Sequence, residues 1–122
     1  MLSKEELKQY RAGWKKRRQT QEKKMKQKEE SGRQKARLIA RLLKEKYGAK
    51  RVILIGSLSK YSEHQVHQHS DIDLVFEADT EKYWEIFGEA LDLAAPFAID
   101  LIPLEEVSTT MKKRIKLAGE EL

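Results

Sequence analysis

The sequence predicts a small α/β or α+β domain, a short sheet covered by helices, carried behind a long basic helical extension. Three observations predict it. Charge divides the chain, apolar periodicity changes from helical to strand-like after Gly48, and carboxylates interrupt otherwise apolar strands. A chain of 122 residues allows one compact domain plus an extension. Residues 1–51 hold 19 Lys or Arg against 6 Asp or Glu, whereas residues 52–122 hold 6 against 14. Cysteine is absent, which excludes disulfides, thiolate nucleophiles and cysteine-ligated metals. No apolar run is long enough to span a membrane, and the N-terminus has no secretory apolar region, so the expected location is the cytoplasm.

The first helix opens on Ser3-Lys4-Glu5-Glu6, a capping box with Ser3 at the N-cap and Glu6 at N3. Leu7, Tyr10 and Trp14 then form one short stripe. From Lys15 to Glu30 the stripe is lost and only helix propensity remains. Ser31-Gly32-Arg33-Gln34 is expected to break the helix, with Ser31 and Gln34 offering a second capping box. A new amphipathic face follows in Ala36, Ile39, Ala40, Leu43 and Tyr47, and Gly48 is a natural terminator. The division is therefore residues 1–34 as a basic extension and 35–122 as the folded domain.

Beyond Gly48, Arg51-Val52-Ile53-Leu54-Ile55 reads as a buried strand, ended by Gly56-Ser57. Residues 58–70 are polar and turn-like. Asp71 to Phe76 reads as the second strand. Asp79 or Thr80 is expected to cap a helix with Tyr83, Phe87, Ala90, Leu91 and Ala94 inward. Phe97 to Ile102 is a third strand stopped by Pro103. Val107, Met111, Ile115 and Ala118 mark a last helix, ended by Gly119.

The chemistry lies in the strand acids. Residues i and i+2 of a strand share a face, so Asp71 and Asp73 point together, with Ile72 and Leu74 opposite. Asp100 lies between Ile99 and Leu101. Buried carboxylates need neutralising, and Lys60 is the one base near the strand mouth. Mg²⁺ or Mn²⁺ suits such a set, because hard cations take carboxylate oxygens and keep waters for a phosphate. Gly56 lets the backbone turn sharply, and Ser57 can donate to a phosphate oxygen, with its backbone N–H aimed at an anion if a helix begins there. Carboxylates facing an anion-holding turn describe a site for a nucleoside triphosphate.

Gly56-Ser57, Ser70-Asp71-Ile72-Asp73-Leu74 and Ile99-Asp100-Leu101, in that order, resemble the minimal nucleotidyltransferases. These are the small branch of the DNA polymerase β-like superfamily that includes the kanamycin nucleotidyltransferase type. The resemblance covers about residues 36–122 and implies a nucleotidyltransferase-like small mixed β-sheet flanked by helices. It implies that Gly56 and Ser57 hold the triphosphate and that Asp71 and Asp73 bind metal. Asp100 would bind a metal and help activate the acceptor hydroxyl, and Lys60 matches a basic position three residues after the Ser. Two departures fall on the phosphate loop: 13 residues separate Ser57 from Asp71, longer than is usual, and Tyr61 stands where a glycine commonly follows the base.

Such proteins are commonly encoded beside small helical HEPN proteins, RNase-type toxins, and act as their antitoxins, in some pairs by adding AMP to a toxin tyrosine. The resemblance thus implies ATP as substrate, Mg²⁺ as cofactor and a HEPN-type protein partner, with an oligomer possible and no membrane. The alternative is a catalytically inactive fold that neutralises its partner by contact. A third reading places nucleic acid on residues 11–28, where Tyr10 and Trp14 stand beside a basic run that otherwise serves as a solvated face, a docking arm or a helix folded back on the acidic half. His64, His67 and His69 read as a solvated loop, since no fourth metal ligand is indicated.

Overall fold

A computed structural model describes residues 1–62 and 71–122 of the chain. The order is α1 (Lys4–Tyr47), β1 (Arg51–Ile55), β2 (Ile72–Glu77), α2 (Tyr83–Ala94), β3 (Ile99–Pro103), a 3₁₀ turn (Leu104–Glu106), α3 (Thr109–Ala118) and β4 (Glu120–Glu121). The strands lie in the order β3-β2-β1-β4. β1 is antiparallel to both β2 and β4, and β2 runs parallel to β3, so the sheet is mixed. The histidine cluster at 64, 67 and 69 lies outside the described residues.

Strand alternation divides the core in two. Val52, Leu54, Ile72, Leu74, Phe76 and Leu101 point to one face, where Ala36, Ile39, Ala40 and Leu43 of α1 and Ile86, Ala90 and Ala94 of α2 cover them. Ile53 and Val75 point to the other, where Val107, Met111 and Ile115 pack. Removing these side chains from water supplies the main favourable free energy of folding.

α1 starts as the capping box requires, with Ser3 Oγ accepting the Glu6 N–H and Glu6 accepting the Ser3 N–H. It ends at Gly48, which adopts φ +68°. Between these ends it runs unbroken for 44 residues, about 66 Å. The expected break at Ser31–Gln34 does not occur. The reason is packing: a Cβ on Gly32 would stand 3.0 and 3.2 Å from the Leu58 methyls and 3.3 Å from the Phe97 ring. Gly32 is a point of close approach inside a helix, and the amphipathic face that follows holds the helix in register. Every residue from Lys4 to Lys24 is exposed, so the extension does not fold back on the acidic half.

Other boundaries shift for local reasons. α2 starts at Tyr83 behind Lys82, because Asp79 accepts the Glu81 N–H and the Thr80 carbonyl accepts the Tyr83 N–H in a preceding turn. Its inward face takes Ile86, whereas Leu91 is exposed. Pro103 closes β3 from within, Val107 precedes α3, and the short pairing of Glu120–Glu121 with Ile53 and Leu54 adds a fourth strand. No described helix is long and apolar enough to cross a membrane.

Candidate active site

Asp73 and Asp100 are direct neighbours in the parallel register of β2 and β3. Parallel strands lie about 4.8 Å apart, so two carboxylates stand side by side on the α3 face of the sheet. Ile55 of β1 is the next member of the same row. Asp71 sits one residue before β2 and is exposed, as is Asp100, and Asp73 is half-buried. The burial argument made from sequence for all three acids therefore applies to Asp73 alone. Burial first, and then the charges of Asp100 and Asp71, push the Asp73 carboxyl from 3.8 up to about 6. The field of Asp100 also reaches Tyr83, whose phenol is raised by burial first and then by Asp100 and Glu106. That phenol donates to the Leu101 carbonyl at 2.7 Å.

Gly56 stands directly against Asp73. Its φ is +78°, and a Cβ there would lie 2.7 Å from Asp73 Oδ2. Both facts demand glycine: the backbone turn is left-handed and the carboxylate occupies the side-chain space. No helix begins at Ser57. Residues 56–62 form successive turns, with Ser59 N–H donating to the Gly56 carbonyl and Ser62 N–H to the Ser59 carbonyl.

A cleft of about 500 Å³ opens beside these residues, lined by Gly56, Tyr61, Asp73, Asp100, Met111 and Arg114 among others. The structure thus brings Gly56, Asp73 and Asp100 together at one cleft. Ser57 and Lys60 are not among its lining residues. Lys60 is exposed, with its ammonium 5.0 Å from the Tyr61 ring centroid, while its backbone N–H donates to Glu120 at 2.9 Å. The base that shares the cleft with the acids is Arg114, which sequence reasoning missed. The signal was available: Arg114 follows Met111 by three residues, at the border of the last helix's apolar stripe.

The turn is held from behind by a second group not foreseen. Arg33 donates twice to Glu120, both at 2.9 Å, and once to the Leu58 carbonyl at 2.7 Å. Ser59 Oγ donates to the Ala118 carbonyl at 2.5 Å. These bonds tie α1, the turn and β4 together beneath the cleft.

The carboxylates fit a hard divalent cation. They offer oxygen donors only, and their mutual repulsion is what such an ion relieves. Among the described residues, no group of three or more His, Asp or Glu side chains is placed to hold a metal ion, so the geometric case for a cation rests on Asp73 and Asp100.

No protein-family model and no curated protein matches the chain. Solved structures do. One is a crystal structure of a toxin–antitoxin with AMP-PNP, at TM-score 0.55 and 25% identity over 70% of each chain. Another is the MntA-HepT toxin–antitoxin, at TM-score 0.52 and 21% identity over 73% of this chain and 69% of that one. A third is a tri-AMPylated Shewanella oneidensis HEPN toxin in complex with MNT antitoxin, at TM-score 0.52 and 21% identity over 74% and 70%. The chain shares its mixed four-stranded sheet and flanking helices with these toxin–antitoxin structures, and its fold is the nucleotidyltransferase-like fold of the MNT antitoxins.

Proposed function

We propose that the chain is the antitoxin of a toxin–antitoxin pair and a nucleotidyltransferase that moves AMP from ATP to a hydroxyl of a HEPN-type partner. The observation that carries this reading is the in-register Asp73–Asp100 pair beneath Gly56. A half-buried Asp73 whose ionised form is opposed by burial and then by the neighbouring Asp100 is hard to account for as structure and natural in a cation site. The similarity to toxin–antitoxin structures, one with AMP-PNP and one with an AMPylated toxin, supports the nucleotide and the partner class.

In this reading Asp71, Asp73 and Asp100 would hold Mg²⁺ or Mn²⁺, which when bound supplies charge neutralisation for the triphosphate. Gly56 keeps the turn close to the acids, and the adjoining Ser57, outside the cleft lining, would donate to a phosphate oxygen held at that turn. Arg114, which lines the same cleft, offers a guanidinium fork to phosphate oxygens. Tyr61, exposed at the rim, presents a ring on which a base can stack. The acceptor hydroxyl oxygen bonds to the α-phosphorus, the bond from that phosphorus to the bridging oxygen breaks, and pyrophosphate leaves. The carboxylate of Asp100 takes the hydroxyl proton.

The test is calorimetric titration of the protein with AMP-PNP, with and without Mg²⁺. Binding should require Mg²⁺ and weaken about tenfold or more in Asp73→Asn, the loss expected for one charged contact. Equal binding by that variant would overturn the assignment of Asp73.

A further inference from the structure

We propose that the exposed part of α1, residues 11–28, is a nucleic-acid-binding arm that grips phosphates independently of the cleft. Nine Lys or Arg and one acid, Glu22, fall in this stretch. Lys28 already sits over the Phe97 ring, 5.7 Å from its centroid. The other eight bases belong to none of the ion pairs found among the described residues. Every residue from Lys4 to Lys24 is exposed, so the arm up to that point stands clear of the domain whose acids could have neutralised it.

The distribution of charge selects the partner. Lys15, Lys16, Arg17 and Arg18 are consecutive, and 3.6 residues make a turn, so their side chains leave the rod on every side. A contact with one acidic protein surface uses one side of a helix. A nucleic-acid groove presents phosphates on both walls and so engages a helix on its inner face and both flanks. With its side chains the rod is about 10–12 Å wide, a match to the major groove of a B-form duplex.

Other occupants fit less well. A coiled coil needs an apolar seam, and Met25 is the single clearly apolar side chain between Lys15 and Glu30. A membrane surface needs a wide apolar face, which is equally missing. Tyr10 and Trp14, 61% and 53% exposed and packed edge to face at 6.1 Å, extend the arm with rings able to stack on unpaired bases.

The test uses the full chain and fluorescence anisotropy with three labelled probes: a 24-base-pair DNA duplex, an RNA hairpin and a single-stranded RNA. If about six phosphates are engaged, affinity falls about a thousandfold between 50 and 200 mM salt. Replacing Lys15, Lys16, Arg17 and Arg18 together by Gln should reduce the salt slope by about two to four. Circular dichroism and the melting temperature of that variant report whether helix and domain stay intact. Tightest binding to the duplex supports groove docking, and tightest binding to single strands supports phosphate contact joined by Tyr10 and Trp14 stacking. Three results would overturn the proposal: no binding to any probe at 50 mM salt, binding unchanged in the fourfold variant, or a self-associated protein that the fourfold variant returns to monomer by sedimentation.

Discussion

Replacing Asp73 by Asn should stabilise the metal-free protein while removing its function. The folded state raises the Asp73 carboxyl to about 6 from 3.8, through burial and then through Asp100 and Asp71. Between those two values the folded chain holds a proton that the unfolded chain has released. Stability therefore falls as pH rises through this window and stays reduced above it. A full conversion gives about 3 kcal/mol. Asp73 is only half-buried, and solvent screening lowers this to about 1–1.5 kcal/mol. Asn fills the same space without the charge. At pH 8 without divalent ions, Asp73→Asn should melt about 3–7 °C above the parent. The advantage should vanish by pH 4, where the parent carboxyl is protonated in the folded state. Millimolar Mg²⁺ should raise the melting temperature of the parent more than that of the variant. Thermal melts over this pH range read all three outcomes. A variant less stable than the parent at pH 8 would refute the reasoning, because it would make Asp73 a structural group and not a strained one.

Further predictions concern the supports of the site. Arg33→Met leaves Glu120 buried without its partner and should cost about 3–5 kcal/mol by urea denaturation. Burial opposes ionisation of Glu120, yet the hydrogen bonds from Arg33 and the Lys60 N–H outweigh it and lower its pKa. That stabilisation is present at neutral pH and lost as pH falls below the ordinary 4.5, so the parent should show an acid-side loss that Arg33→Met lacks. Gly56→Ala meets Asp73 at 2.7 Å and a φ of +78°, and should lower stability by about 1–3 kcal/mol while weakening Mg²⁺-dependent AMP-PNP binding in calorimetry. Arg114→Gln is a surface change that should leave the melting temperature within about 2 °C of the parent and weaken AMP-PNP binding about tenfold.

The strands and the acids were legible because their signals are local. The β-branched run of Val52–Ile55 and the alternation around Asp71–Asp73 each lie within a few residues, whereas the register that pairs Asp73 with Asp100 is set by the long-range pairing of β2 with β3. Gly56 was legible as a turn, but its contact with Asp73 depends on how β1 and β2 pair. Ser31-Gly32 misled because glycine has two uses, helix termination and close packing, and only Leu58 and Phe97 decide between them. The Arg33–Glu120 clamp joins residues 87 apart, and Arg33 looks like every other base in a basic helix. Lys60 stands near the strand mouth and three residues after Ser57 in sequence, whereas Arg114 reaches the cleft because α3 packs on the same sheet face as Asp73.

The central claim is that the acids beneath Gly56 serve nucleotide transfer to a protein hydroxyl. Incubating the protein and its HEPN-type partner with Mg²⁺ and ATP labelled at the α-phosphate tests it most directly. Label is expected on the partner, located by mass spectrometry as one or more AMP adducts on a hydroxyl side chain and absent with Asp71→Asn, Asp73→Asn or Asp100→Asn. Neutralisation of the partner with no label, or label that survives all three substitutions, would contradict it.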